Sequence, residues 1–279
     1  MIIKVLVENT AAAGLPAEHG LCLYVEYRGK AYLIDSGATG LFAENAERMG
    51  VDLGAVEAAF LSHAHYDHAG GFPAFFGRNA RAKVYLQRAA EGLACVAAVG
   101  PFSKYIGMPK GMLEQYRDRF EFVDGAAQVA EGIFLVPHSS PGLRERAKQT
   151  HMCVMDGRRR VYDDFSHEQT VVFEEEDGLV CFNSCSHSGV DIVVGEVARA
   201  FPGRRIKAYV GGFHMMGLGG VTSCGYSRDE VRAVAGKLLG SGCEAFYSGH
   251  CTGLIAFDWL EEVLEGRLTA LETGKVFEI

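Results

Sequence analysis

The segment Leu61-Ser62-His63-Ala64-His65-Tyr66-Asp67-His68-Ala69-Gly70-Gly71 constrains this chain more than any other stretch. Three of the ten histidines fall within six residues there, with a carboxylate among them, directly after an apolar run from Val56 to Ser62. On an extended strand, side chains at i and i+2 point the same way, so His63 and His65 can present two imidazoles to one ion. A turn after His65 then lets Asp67 and His68 reach a second ion. Two divalent ions roughly 3.5–4 Å apart clamp a substrate and draw a nucleophile from water. Imidazole with carboxylate suits Zn²⁺, Fe or Mn rather than Ca²⁺ or Mg²⁺. The alternative is a set of ordinary polar turn residues or a pH-sensing cluster. Packing four potential ligands behind an apolar strand without an ion would, however, bury polar groups for no gain.

Strand-like runs surround the cluster: Ile2 to Glu8, then Leu21 to Tyr27 and Ala31 to Ile34 joined by a short turn. Leu41 to Met49 reads as a helix and Val84 to Gln87 as a brief strand. Strands are expected again at 132–137, 170–174, 179–183, 206–210 and 245–247, and amphipathic helices at 190–200 and 229–239. Strands feeding glycine-rich turns and then helices, in both halves, indicate an α/β layered fold. No composition shift marks a linker, so residues 1–279 read as one domain, with an irregular insertion at about 88–160 near the site.

The net charge of −8, from 27 basic and 35 acidic residues, argues against a nucleic-acid partner, and Arg158–Arg160 and Arg204–Arg205 are only short basic runs. Eight cysteines without a CxxC pair are too sparse for a disulfide scaffold. The N-terminus runs straight into a strand, and no apolar stretch reaches about 18 residues. A reduced, cytoplasmic setting with no membrane partner is expected.

The unaltered HxHxDH pattern of residues 63–68 resembles the signature of the metallo-β-lactamase superfamily. Ala17–Leu21, Leu33–Gly37, Ser184–Gly189, Gly211–His214 and Gly249–Gly253 are similar to one branch, the dihydropterin-ribofuranosylaminobenzene-phosphate synthase-like proteins. The likeness covers roughly residues 1–75 and 160–255, with a further family-like stretch at Tyr105–Pro109. It implies a four-layer αββα sandwich with metals at one edge between the sheets. It also implies that His63, His65 and His187 hold one ion, and Asp67, His68 and His250 a second. His187 and His250 each follow an apolar run and lie near glycine, as ligands on loops at strand ends would.

Many superfamily members carry a bridging aspartate between the last two histidine motifs. Here Asp191 and Asp229 fall on expected helices, and the comparable strand end carries His214. His214 either ligates a metal or, the favoured reading, donates a proton or hydrogen bond to substrate. With less negative charge in the site, one or two Zn²⁺ ions are both compatible, Fe or Mn being alternatives. His19 either lines the site or caps a turn, His138 and His151 are expected at the surface or in the core, and His167 stands where the family tends to carry an acid. Cys185, Cys224 and Cys251 are nearby thiols, read as small buried residues rather than ligands or redox groups.

The function expected from these residues is metal-dependent hydrolysis of a small ester, lactone or phosphoester. Asp67 would ligate and orient the attacking water, and His214 would stabilise leaving-group charge. Aromatic residues in the insertion suit a flat ring, and Lys104, Lys110, Arg144, Arg146 and Lys148 a phosphate, unless the stretch is an ordinary surface excursion. The resemblance offers an alternative: a transferase that condenses a pterin pyrophosphate with a ribofuranosylaminobenzene phosphate. A non-catalytic metal-binding sensor is a third reading, disfavoured by the intact ligand set.

Overall fold

Both faces of the N-terminal strands are apolar, which obliges the sheet to be covered on both sides. In the computed structural model, which describes residues 1–12 and 14–279, Ile3, Val5, Leu23 and Val25 face one way and Leu6, Cys22 and Tyr24 the other, all buried. These strands belong to a seven-stranded sheet, in the order Val276–Glu278, Ile2–Val7, Cys22–Tyr27, Lys30–Ile34, Val56–Phe60, Lys83–Gln87, Phe120–Val123. A second seven-stranded sheet runs Leu268–Ala270, Ala245–Ser248, Ile206–Val210, Gly178–Phe182, Gln169–Glu175, Ile133–Pro137, Ala127–Ala130.

The sheets stack through a shared core in which Ile3, Leu23 and Phe60 of the first meet Leu135, Phe173, Phe182 and Val210 of the second. Phe173 is its hinge of contact, edge-on to Tyr27, Tyr32, Phe60 and Phe182. Helices Leu41–Arg48 and Phe72–Arg78 cover the outer face of the first sheet. Helices Val190–Ala200, Arg228–Gly240 and Leu254–Leu264 cover the second. The fold is the expected four-layer αββα sandwich.

Within residues 88–160 the chain repeatedly returns to the main sheets. Phe120–Val123 pairs parallel with Lys83–Gln87, and Ile133–Pro137 antiparallel with Gln169–Glu175. The remaining strands, Cys95–Val99, Phe102–Tyr105, Met152–Asp156 and Arg159–Tyr162, form a four-stranded antiparallel sheet beside helix Leu143–Gln149. Among the described residues, no helix is long and apolar enough to cross a membrane.

Each main sheet is antiparallel at one side and parallel at the other. Lys30–Ile34 and Val56–Phe60 run parallel, as do Gly178–Phe182, Ile206–Val210 and Ala245–Ser248. The loops leaving the carboxyl ends of these five strands carry Asp35, residues 63–68, His187, His214 and His250. Open parallel strands characteristically build their sites at that end.

Candidate metal centre

His63 and His65 are brought together differently from the strand alternation expected. The strand ends at Phe60, and His65 N donates to His63 O at 3.0 Å, closing a three-residue turn. That turn, rather than a pleat, sets the two rings 4.6 Å apart between centroids. The family-like stretch at Tyr105–Pro109 buttresses it: Met108 N donates to Ala64 O at 3.1 Å and Tyr66 N to Ile106 O at 3.0 Å. A single helical turn, Tyr66–Ala69, then presents Asp67 and His68.

The distant histidines converge on this turn. His187 lies 4.6 Å from His63 and 4.8 Å from His65, ring to ring, and His250 lies 4.9 Å from His68. All six residues that the resemblance assigns as ligands are at most 8% exposed. Five non-glycine residues at the centre, Asp35 (φ 57°), Phe165 (φ 54°), Ser186 (φ 50°), His214 (φ 51°) and His250 (φ 51°), adopt left-handed backbone. Such conformations cost about 1–3 kcal/mol each and persist where surrounding contacts over-determine them.

Four of the imidazoles have their Nδ1 fixed from behind. His68 Nδ1 donates to Asp35 Oδ2 at 2.8 Å. Ser62 Oγ gives its proton to Asp35 Oδ2 at 2.6 Å and so accepts from His63 Nδ1 at 2.8 Å. His187 Nδ1 donates to Glu168 Oε2 at 2.5 Å, and His250 Nδ1 to Asn9 Oδ1 at 2.8 Å. Each Nε2 is thereby left with a lone pair, the tautomer metal-binding histidines adopt.

Those lone pairs face one another. His68 Nε2 and His250 Nε2 lie 3.2 Å apart, with Asp67 Oδ2 3.5 and 3.4 Å from them. Acceptors converging at that distance repel unless a shared proton or a metal ion sits among them. His63 Nε2 and His65 Nε2 are buried without any hydrogen-bond partner. This donor set, imidazole nitrogen with one carboxylate, fits a zinc-like transition ion.

A proton competes for part of the same space. Burial opposes charge on His68, but Asp67 and Asp35 outweigh it and hold its pKa up at about 10. Burial, reinforced by His68, His187 and His65, keeps His63 neutral, well below the ordinary imidazole value. Burial would raise the pKa of Asp67, yet His68, His19 and His250 hold it well below the usual carboxylate range.

His19 lines the centre: Asn9 Nδ2 donates to its Nδ1 at 3.3 Å, so its Nε2 proton points to Asp67 Oδ2 at 3.2 Å. His214 stands between the cluster and open space, 4.4 Å from the His187 ring, its Nδ1 buried without a partner. It also lines a cavity of about 380 Å³ together with His151, Met216, Leu218, Tyr226 and Glu230. His167 is a buried brace, its Nδ1 accepting from Ala64 N at 3.0 Å and its Nε2 meeting Asp163 Oδ2 at 3.0 Å. His138 spans two buried glutamates, Glu168 at 2.8 Å and Glu196 at 2.7 Å. Phe165 stacks on the His187 ring. Cys185 and Cys251 are buried in the centre, whereas Cys224 is half-buried on the hairpin strand Gly220–Cys224.

Reading the sequence singled out none of Asn9, Asp35, Ser62 or Glu168 for a role. Asp35 had a signal, an acid-Ser-Gly triplet at a strand end, and Glu168 adjoined a histidine; Asn9 had none.

A family model described as the metallo-beta-lactamase superfamily matches residues 15–177. The uncharacterized protein MJ0448 of Methanocaldococcus jannaschii is 25% identical over 226 residues, covering 78% of this chain and 80% of that protein. The 7,8-dihydropterin-6-methyl-4-(beta-D-ribofuranosyl)-aminobenzene-5'-phosphate synthase of the same organism is 23% identical over 300 residues, covering 99% of this chain and 96% of the synthase. The crystal structure of Tm1679, a metal-dependent hydrolase of the beta-lactamase superfamily, aligns with a TM-score of 0.82 at 27% identity, over 100% of this chain and 99% of its own. Since the family model spans more than half of its length, the chain belongs to the metallo-β-lactamase superfamily.

Proposed function

We propose that this chain is a metal-dependent hydrolase of a small ester, lactone or phosphoester. The observation that carries the reading is the set of Nε2 lone pairs left facing one another around Asp67 once each Nδ1 is tied back. His63, His65 and His187 would hold one ion, and Asp67, His68 and His250 a second. Bound there, zinc or a similar ion supplies a Lewis acid that polarises a carbonyl or phosphoryl oxygen and acidifies water.

The chain's own side chains do the rest. His19 donates to Asp67 Oδ2 and keeps the carboxylate turned inward. Burial, then the neighbouring His187, lowers the His214 pKa, so this imidazole is neutral near pH 7. Its ring lines the cavity and is suited to donate a hydrogen bond to the leaving oxygen. A small-molecule substrate and a reduced cytoplasmic setting accord with the cavity volume, the free cysteines and the net charge.

The test is a panel of phosphoesters, lactones and thioesters offered to zinc-loaded and chelator-treated protein. Zinc-dependent hydrolysis of one class is expected, with His214→Gln lowering kcat about 100-fold at unchanged metal content. The transferase is the second reading, supported by the synthase relative's alignment over 99% of this chain. Condensation of a pterin pyrophosphate with a ribofuranosylaminobenzene phosphate, releasing pyrophosphate, would replace the hydrolase reading with it. Metal binding without turnover of either kind would leave a sensor.

A further inference from the structure

Both halves of the centre share a side chain that the six-residue ligand set leaves out. Cys185, two positions before His187, is 2% exposed, and its Sγ lies 3.2 Å from His68 Nε2. The same residue joins two groups of ligand atoms that all lie within 4.8 Å of one another, one with His63 and His187, the other with His68 and His250. Those two groups are the two half-sites. His63 belongs to the first, and its Nε2 is buried with no partner.

Charge points the same way. Asp67 is the one anionic group among the six ligands, set against four positive charges if two divalent ions are bound. Asp35 and Glu168 stand one layer out, behind His68 and His187. The next strand end brings His214 rather than a carboxylate. A buried, under-compensated pair of cations is costly, and a thiolate between them would offset it.

The loop also fixes the sulfur. Ser186 N donates to Asn183 Oδ1 at 2.8 Å and Ser186 Oγ to Gly212 O at 2.9 Å, with Ser186 held at φ 50°. The neighbouring Cys251 is the competing thiol. It groups with Cys185 and His214, its Sγ 3.6 Å from Cys185 O.

We infer that Cys185 is a metal ligand whose sulfur bridges the two ions, releasing its thiol proton to solvent when they bind. The inference rests on the metal-centre reading above. A thiolate bridge selects zinc, cobalt or ferrous iron over magnesium, calcium or manganese.

The test is a cobalt titration of the metal-free full chain, following visible ligand-field bands and the near-ultraviolet sulfur-to-cobalt charge-transfer band. In the unsubstituted protein and in Cys251→Ser, the charge-transfer band should grow through both equivalents. In Cys185→Ser it should vanish while ligand-field bands from the histidines remain. A charge-transfer band that is absent from the unsubstituted protein, survives in Cys185→Ser, or saturates after one equivalent overturns the bridge and leaves the histidine centre standing. No cobalt bands at all would instead overturn the metal centre itself. Should Cys185→Ser fold poorly by circular dichroism, zinc-edge X-ray absorption of Cys251→Ser decides: a sulfur neighbour at about 2.3 Å supports Cys185 as the ligand, and nitrogen and oxygen alone refute it.

Discussion

Replacing Glu168 by glutamine keeps the volume of a fully buried side chain and removes its charge. Glu168 Oε2 accepts from His187 Nδ1 at 2.5 Å and from His187 N at 3.2 Å, while Oε1 meets His138 Nε2 at 2.8 Å. Burial would raise its pKa, yet His187 and His138 hold it well below the usual carboxylate range. In Glu168→Gln one oxygen is kept, and the amide NH₂ either faces an N–H donor or forces His138 to give up its Nε2 proton. Removing one partner of a buried charged pair costs about 3–5 kcal/mol, and the surviving bond places the loss near the lower end, about 3 kcal/mol. His187 also loses the acceptor that fixes its ring, a change that typically weakens a metal site about 10–100-fold. Urea unfolding of the metal-free protein reads the first quantity, and competition with a chromophoric chelator the second. Zinc affinity within about twofold of the unsubstituted protein would refute the claim that Glu168 aims His187.

Asp35→Asn should weaken both metal-binding steps together, each by about tenfold or more, because Asp35 holds His68 directly and His63 through Ser62; a titration in which only one step changes contradicts this. Gly71→Ala would set a Cβ 2.1 Å from Ser36 O and 2.4 Å from Thr39 O, both backbone atoms. Its unfolding free energy should fall by about 3 kcal/mol or more, and a loss below about 1 kcal/mol would show that the loop yields. His138 gives a pH dependence: burial alone would depress its pKa, but Glu168 and Glu196 outweigh it and raise it to about 9. With the folded value above the unfolded value of about 6.5, this stabilisation is complete below that pH and is lost as pH rises through 9, amounting to about 3 kcal/mol. His138→Gln should flatten that alkaline slope in the metal-free protein, and an unchanged slope assigns it elsewhere.

The candidate ligands of residues 63–68 stood out in the sequence because they are chemically unusual and locally dense. His187 and His250, far away in the chain, were picked out by the family resemblance, and the apolar run before each and the glycine nearby only agreed with it. Their supports were not legible, since Asn9 acts on His250 across 241 positions and Asp35 on His68 across 33. Nothing local distinguishes such an asparagine or aspartate from a turn residue. Strand periodicity indicated an α/β layered fold and the resemblance the αββα sandwich, but Phe120–Val123 and Val276–Glu278 are short edge strands that exist only by pairing with distant partners. Helix Leu254–Leu264 escaped notice because Gly253 precedes it with no side-chain cap and its apolar residues crowd more than one face. The i, i+2 argument for His63 and His65 reached the right neighbours through the wrong geometry, a tight turn standing where a pleat was expected. Cys185 was discounted because a lone buried cysteine is ordinarily inert, and only its distances to both half-sites mark it out.

Metal content of the purified chain tests the convergence of distant imidazoles most directly. After loading with zinc and dialysis, elemental analysis should give about two equivalents for the unsubstituted protein and about one each for His187→Ala and His250→Ala. Zinc content unchanged by either substitution, or no zinc retained by the unsubstituted protein, would contradict a centre built from residues 63–68 together with His187 and His250.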